Sequence, residues 1–455
     1  MKNVFSSIAT GSVVITASRA MLKVLSFGSY VLVLQRLSLH DYGVVSLALS
    51  ISGPVLALSG LGLDDLLSSN GARARGEGKA EEFAHTLRGF VYVKFAILVA
   101  ITIALIFGRT LLGDKYRDLL EQFFIPLIAW IWVVNIRWLA DMLLQMRELF
   151  TRYAKANVIE NSVRLCVVIG LYLTDRIDIS TVIWSYVAAK LIASFFTLGI
   201  VRGTLGRERH FVRSLKDYWQ FIRTKGFWEI IRMQIGSLLS GVGMWIVGFI
   251  LGLEAVAVYS FVSIMNSLVS QMTPFRQILY PIMARLSPEA AASSFTARRM
   301  SKYSFWLAAA LIPLSMIVAP IGIGIFVPKY LPAIPVFYLM VWTQLLVAAT
   351  VSHGPFMYAR NEQKYMLGLS FFGMLSSLTL APLLIWLMGL YGAVLENHIS
   401  GTIIAYLRER RLRKKHAITT FSFRDLFVFD KTDREFLRRF GEFIHLKLKT
   451  KLSRG

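Results

Sequence analysis

The sequence predicts an all-α polytopic membrane protein of about twelve transmembrane helices, and three observations carry that expectation. The first is composition. Of 455 residues, 55% are hydrophobic and only 17% charged, whereas a soluble chain carries roughly a quarter charged residues. The second is spacing: apolar runs recur at the length of about 20 residues that crosses a hydrocarbon core. The third is the placement of positive charge. The lysines and arginines between the runs fall roughly six to one on the side that holds both termini, the asymmetry of the positive-inside rule. Both termini are therefore expected in the cytoplasm.

The expected spans, in order, are 8–35, 43–67, 89–109, 123–145, 156–174, 181–201, 227–252, 256–282, 303–327, 334–358, 366–388 and 391–407. The first is the least hydrophobic, because Arg19 and Lys23 interrupt it. It lacks the small-residue end of a signal peptide and reads as a retained helix. The last is short and holds Glu396 and His398. The long basic connection 202–226 divides the spans six and six. The expected organisation is an N-terminal lobe 1–201, a basic linker 202–226, a C-terminal lobe 227–407 and a basic tail 408–455. DYGVVSLALSI at 41–51 and VYSFVSIMNSL at 258–268 open corresponding helices of the two halves, the sign of parallel internal repeats. In the tail, RERRLRKK at 408–415 suits an anionic lipid surface. Phe436, Phe440, Phe443 and Leu448 share one face of a helix expected to lie on that surface.

The net charge of +23 does not point to nucleic acid, because the basic residues lie between apolar runs rather than along one soluble face. Cys166 is the single cysteine and excludes an internal disulfide. The sequence has no P-loop, nucleophile elbow or H-E-x-x-H motif. No metal or cofactor is therefore expected. The longest outer connection, 110–122, leaves no room for an extramembrane catalytic domain, so transport rather than enzymatic chemistry is expected. His353 and His398 are isolated and read as helix-packing residues.

Ionisable groups inside spans are costly and usually face a cavity or a partner. Arg19 and Lys23 share a face of the first helix, and Thr16, Ser26 and Tyr30 extend it as a polar stripe. Arg137 stands four residues before Asp141, Glu160 four before Arg164, and Glu229 three before Arg232. Such pairs either neutralise each other or leave the arginine free for a ligand. Lys190 and Arg276 have no acid nearby in their own spans. Lys94 is expected to snorkel toward the cytoplasm. The candidate substrate-binding set is Arg19, Lys23, Arg137, Arg164, Lys190, Arg232 and Arg276. Such cations suit a phosphate or pyrophosphate, whose oxygens match the guanidinium fork. Trp132, Trp138, Trp184 and Trp245 are candidates for stacking on sugars, a role that competes with ordinary packing.

Four stretches carry a resemblance: LQRLSLHDYGVVSLALS at 34–50, ILYPIMARLSPEA at 278–290, FVPKYLPAIPVFYLM at 326–340 and GLYGAVLENHIS at 389–400. In this order and spacing they resemble the polysaccharide-export branch of the multidrug/oligosaccharidyl-lipid/polysaccharide (MOP) superfamily, the Wzx-type oligosaccharide flippases. The resemblance covers residues 1–407. It implies a MATE-like, V-shaped bundle of six plus six helices around a central lumen. It also implies the cargo: a polyprenyl-pyrophosphate-linked glycan, the repeat unit of an O-antigen, capsule or exopolysaccharide. That cargo would move from the cytoplasmic to the outer leaflet of the inner membrane. Membrane lipids and a polysaccharide polymerase or export machinery are the implied partners. The lipid II flippases of the superfamily carry basic residues in their first and eighth helices, where Arg19, Lys23 and Arg276 stand here, but usually have fourteen helices. A drug/cation antiporter would want a carboxylate in the first helix, which is absent. A glycan polymerase or ligase would want a long outer loop.

Overall fold

The computed structural model describes residues 22, 25–108, 123–147, 149–197, 199, 211–271, 290–360 and 362–428, and among these the regular structure is helix without strand. That is what a hydrocarbon solvent demands, since a helix satisfies its backbone polar groups within the segment. Nine helices among the described residues are long and apolar enough to cross a membrane. The chain is a multi-pass membrane protein.

The first helix, α1, is described over 25–36. It is followed by α2 (Leu39–Ser50), α3 (Ser52–Gly60), α4 (Asp64–Gly76), α5 (Ala80–Gly108), α6 (Phe124–Met146), α7 (Phe150–Leu173) and α8 (Ile179–Phe195). Then come α9 (Phe211–Phe221), a π turn (Ile222–Gly226), α10 (Phe227–Leu251) and α11 (Leu253–Gln271). The remainder holds α12 (Ala290–Phe326), a 3-10 turn (Pro328–Ala333), α13 (Ile334–Val341), α14 (Thr343–Ala349), α15 (His353–Ala359), α16 (Gln363–Met388), α17 (Leu390–His416) and α18 (Phe423–Phe427).

Several expected spans differ in detail: the third begins at Ala80 rather than 89, the fifth at Phe150 rather than 156, and the twelfth runs on to His416 rather than ending at 407. The second ends at Gly60 rather than at 67, because Leu61 and Gly62 take positive φ values of 50° and 65° and α4 starts afresh at Asp64. The ninth starts at Ala290, and its 37 residues make a rod of about 55 Å, nearly twice the hydrocarbon thickness. The tenth is broken into α13, α14 and α15. The sixth, α8, is an apolar helix of 17 residues, begun by a capping box in which Asp178 accepts from the Thr181 backbone and Thr181 accepts from the Asp178 backbone.

The contacts divide the chain into two compact units. One comprises 1–268, 317–340 and 363–400; the other comprises 269–316, 341–362 and 401–455. In the first unit, Val44, Ala48, Val55, Leu98, Leu127, Ile131, Val134, Ile183 and Val187 form one core among α2, α3, α5, α6 and α8. A second core gathers Leu63, Leu67, Leu87, Phe90, Leu139, Leu143, Tyr218 and Phe221. The outer surface is apolar as well. Phe371, Leu375 and Leu378 of α16 and Ile317, Ile321 and Ile325 of α12 are each about half exposed or more. They recur at helical spacing, the stripe expected of a lipid-facing surface.

At one end of this unit, α1, α2, α11 and the 3-10 turn converge on an aromatic cluster. Tyr30 meets Tyr42 edge-on at 5.7 Å, and Phe261 lies 4.6 Å from Tyr330. Around it, Gln35 Nε2 donates to the Phe326 carbonyl at 3.0 Å, and the Lys329 ammonium donates to the Leu37 carbonyl. Gly43 makes the approach possible: a Cβ there would stand 2.0 Å from the Leu253 carbonyl oxygen.

In the second unit the chain after α17 returns along the start of α12. Ser294 Oγ accepts from the Thr419 backbone at 3.1 Å, Arg298 pairs with Asp425 at 2.8 Å, and Trp306 Nε1 donates to the Leu426 carbonyl at 2.7 Å. Two carboxylates brace the end of α17 and the strap that leaves it. Glu409 accepts from Thr420, Arg413 and His353 Nε2, and Glu362 accepts from Arg411, Lys415 and His416. Burial alone would raise both carboxyl pKa values. The hydrogen bonds outweigh it and hold each at about 2. The amphipathic face expected around Phe436 lies outside the described residues.

Candidate functional site

Four of the seven expected binding residues fall within the described residues: Arg137 on α6, Arg164 on α7, Lys190 on α8 and Arg232 on α10. Arg19, Lys23 and Arg276 lie outside them. The structure brings the first three together. They meet on a polar stripe of α7 made by Asn157, Glu160, Asn161 and Arg164, which recur at i, i+3, i+4 and i+7 and so share one face.

Arg137 is 2% exposed. Its guanidinium bonds Asp141 one turn ahead, Glu160 Oε2 at 3.1 Å and Asn157 Oδ1 at 2.9 Å. Lys190 Nζ takes the other oxygen of Glu160 at 2.7 Å and lies 5.4 Å from the Trp130 ring centroid. Two cations and two carboxylates thus close on each other across α6, α7 and α8. A buried charge is tolerated when it is paired and hydrogen-bonded, and both conditions hold here. Two expectations change accordingly. Lys190, which has no acid in its own span, finds one on the neighbouring helix. Glu160, four residues before Arg164, pairs across to Arg137 and Lys190 instead.

Arg164 is thereby left with no carboxylate partner among the described residues. It turns to α1, where Nε donates to Ser29 Oγ at 3.1 Å and Nη2 donates to Ser26 Oγ at 2.9 Å. Its guanidinium carbon lies 4.9 Å from the Tyr186 ring centroid, within cation–π range. The site is therefore a neutralised network with one half-buried arginine at its edge, held by neutral groups and against the first helix. Ser26 belongs to the polar stripe expected on that helix. Ser29, Asn157 and Tyr186 are not among the residues expected from the sequence. The i, i+3, i+4, i+7 spacing on α7 was the available signal for Asn157; nothing in the sequence singles out Ser29 or Tyr186.

Arg232 sits apart on α10 and pairs with Glu229, Nε to Oε2 at 2.9 Å, as the three-residue spacing predicts. Lys94 does not snorkel. It is 1% exposed and stands 3.8 Å from Asp64 at the start of α4, where the break after α3 turns the acid inward. His398 Nε2 lies 2.9 Å from the Leu339 carbonyl and His353 serves Glu409, both as packing residues. Trp132 lies against Phe95 and donates to Thr102 Oγ1 at 3.0 Å, and Trp245 lies beside Phe249. Trp138 and Trp184 are nearly half exposed. No group of three or more His, Cys, Asp or Glu side chains among the described residues is arranged to hold a metal.

The profile of a family described as polysaccharide biosynthesis protein matches residues 8–287. No curated protein matches the chain. Among solved structures, the lipid II flippase MurJ in an inward closed conformation superposes with a TM-score of 0.71 at 13% identity, covering 91% of this chain and 89% of that one. A multidrug-resistance MATE transporter of the MOP superfamily in its inward-facing conformation gives 0.64 at 13% identity, over 86% of this chain and 94% of that one. An outward-facing MATE transporter gives 0.62 at 15%, over 90% and 96%. The fold is that of a polytopic helical bundle of the MATE and MurJ kind.

Proposed function

Because the chain belongs to the polysaccharide biosynthesis protein family, we propose that it is a flippase for polyprenyl-pyrophosphate-linked oligosaccharide. It moves the glycan headgroup from the cytoplasmic to the outer leaflet of the inner membrane by alternating access. The single observation that carries the reading to a residue is Arg164, an intramembrane cation with no carboxylate partner among the described residues and held against α1 by two serines. A phosphate oxygen offers its guanidinium a stronger, charge-assisted partner than a neutral hydroxyl does.

In this mechanism the pyrophosphate displaces the serines and the α6–α7–α8 network keeps its own charges paired, while Arg19, Lys23 and Arg276 are the further phosphate-binding cations that the sequence alone proposes. Arg137 and Lys190 act as the support that frees Arg164 rather than as ligands. The aromatic cluster at Tyr30, Tyr42, Phe261 and Tyr330 closes the outer end while the headgroup enters from the inner side. Carrying a headgroup of charge about −2 outward against a negative interior is favoured by up to roughly 4–5 kcal/mol per 100 mV, so the membrane potential supplies direction without nucleotide. The role is transport, with no covalent chemistry.

The test is mass spectrometry of polyprenyl-linked glycans from a deletion strain and its parent. Accumulation of one complete lipid-linked repeat unit, with loss of the surface polymer, supports the proposal. An unchanged pool with intact surface glycan overturns it. Accumulation of lipid II instead would reassign the cargo within the same fold.

A further inference from the structure

The linker helix α9 divides its circumference three ways. Ser214, Tyr218 and Phe221 are buried against the protein. Their seat is Gly89 of α5, where a Cβ would stand 2.1 Å from the Ser214 carbonyl oxygen and 2.6 Å from Tyr218 Cβ. Tyr218 meets Phe90 at 5.9 Å, and Phe211 meets Tyr92 at 5.0 Å. At 100° per residue, Val212 and Trp219 fall on one stripe well away from that seat, with Leu215 beside them. Val212 is 78% exposed and Trp219 55%. Apolar side chains standing clear of the protein in such a stripe call for a non-aqueous neighbour.

The remaining arc is polar. Arg213, Lys216 and Gln220 are exposed there. Asp217 lies 3.9 Å from Arg213 and offsets one charge, leaving Lys216 and Arg223 uncompensated among the described contacts. The Arg223 guanidinium reaches back over the Trp219 ring at 5.4 Å. Just beyond, at the start of α10, Phe227 and Trp228 are again about half exposed, with the Lys364 ammonium 5.2 Å from the Trp228 ring centroid. Aromatic rings paired with cations at the mouth of a span mark the level of the lipid headgroups.

We propose that α9 is a binding site for anionic phospholipid, lying in the headgroup plane with Val212, Leu215 and Trp219 toward the acyl chains and Lys216, Arg223 and Arg213 toward acidic headgroups. The seat on Gly89 fixes its depth. Because α9 continues through the π turn into α10, which packs against α3 and α16, lipid bound at α9 also holds the end of a membrane-spanning helix. The proposal does not depend on what the protein carries.

The experiment uses the purified full chain in nanodiscs of phosphatidylcholine alone or with phosphatidylglycerol, read by hydrogen–deuterium exchange over 211–226. Acidic lipid should slow exchange there by about tenfold, and high salt should remove the difference. The combined Arg213→Gln, Lys216→Gln and Arg223→Gln substitution should abolish the lipid dependence while leaving exchange in α5 and α6 unchanged. Trp219→Ser should raise exchange of α9 in both lipids. Equal exchange in the two bilayers would overturn the proposal, as would a lipid response that survives the triple substitution. The second outcome would place the acidic-lipid contact elsewhere on the chain.

Discussion

Arg164 and Glu160 stand four residues apart on one face of α7, yet their substitution is expected to fail in different ways. Arg164→Gln removes a cation that no carboxylate among the described residues pairs with, so folding and abundance should stay near normal while turnover of the lipid-linked glycan falls at least tenfold. Arg164→Lys, which keeps the charge but not the fork, should recover only part of it. Normal transport by both variants would sink the phosphate role. Glu160→Gln instead strips a partner from the buried Arg137 and the partly buried Lys190 at once. Loss of one partner of a buried pair costs about 3 kcal/mol or more, so the variant should melt earlier in detergent whatever its cargo. A thermal midpoint equal to that of the unsubstituted chain would show the network to be dispensable. The acids and bases of this site were visible in the sequence as charges inside apolar runs. The pair of Arg137 with Asp141 was legible from its spacing; the pairing across helices was not, because spacing within a helix reports only neighbours on that helix, and Lys190 finds its acid across a helix boundary.

At the scale of elements, the hairpin of α1 and α2 is tied to α11 and the 3-10 turn by contacts that must part if this end is to open. Gln35→Cys and Phe326→Cys, joined by a short bis-maleimide in a Cys166→Ala background, should arrest transport. Transport undiminished by the cross-link would remove the cluster from the cycle. Gly43→Ala should weaken the same closure, since its Cβ cannot share space with the Leu253 carbonyl; protease or thiol access to this end is the readout. The existence of the long apolar helices was legible from run length alone, which is why α6, α10 and α16 fall close to their expected bounds, whereas α5 begins nine residues early through its polar first turns. Breaks were harder to read. The turn at Leu61 and Gly62 and the division of the tenth span arise from backbone conformation, which hydropathy does not register. The 17-residue α8 was legible from its apolar run, but not the box of Asp178 and Thr181 that sets its start, and the helix begins two residues before its expected start and ends six before its expected end.

For the whole molecule, the charge balance that betrayed the membrane class also sets a pH limit on the strap formed by 417–428. Glu362 and Glu409 titrate at about 2 in the folded chain, below the value of about 4.3 expected when unfolded. A lowered folded-state pKa contributes stability that is fully present above the unfolded value and is lost as pH falls through the folded one. The strap should therefore hold from neutral pH down to about 4 and release between about 4 and 2, read by pepsin cleavage within 417–428. Glu409→Gln should shift release upward in pH; an unchanged profile would show that the acids do not hold it.

The α6–α7–α8 network has one more consequence, in the making of the protein. A lysine near the centre of a helix opposes its passage into the bilayer by about 3 kcal/mol, and α8 has only 17 residues to offset it. The acid that answers Lys190 emerges earlier, on α7, and Arg137 emerges earlier still, on α6. The three helices are thus suited to leave the insertion channel as a group, with α8 arriving last. A chain shortened to end before Asp178 would strand Glu160 with Arg137 alone, and a chain carrying Glu160→Ala would leave α8 without its acid at the moment it must enter the lipid.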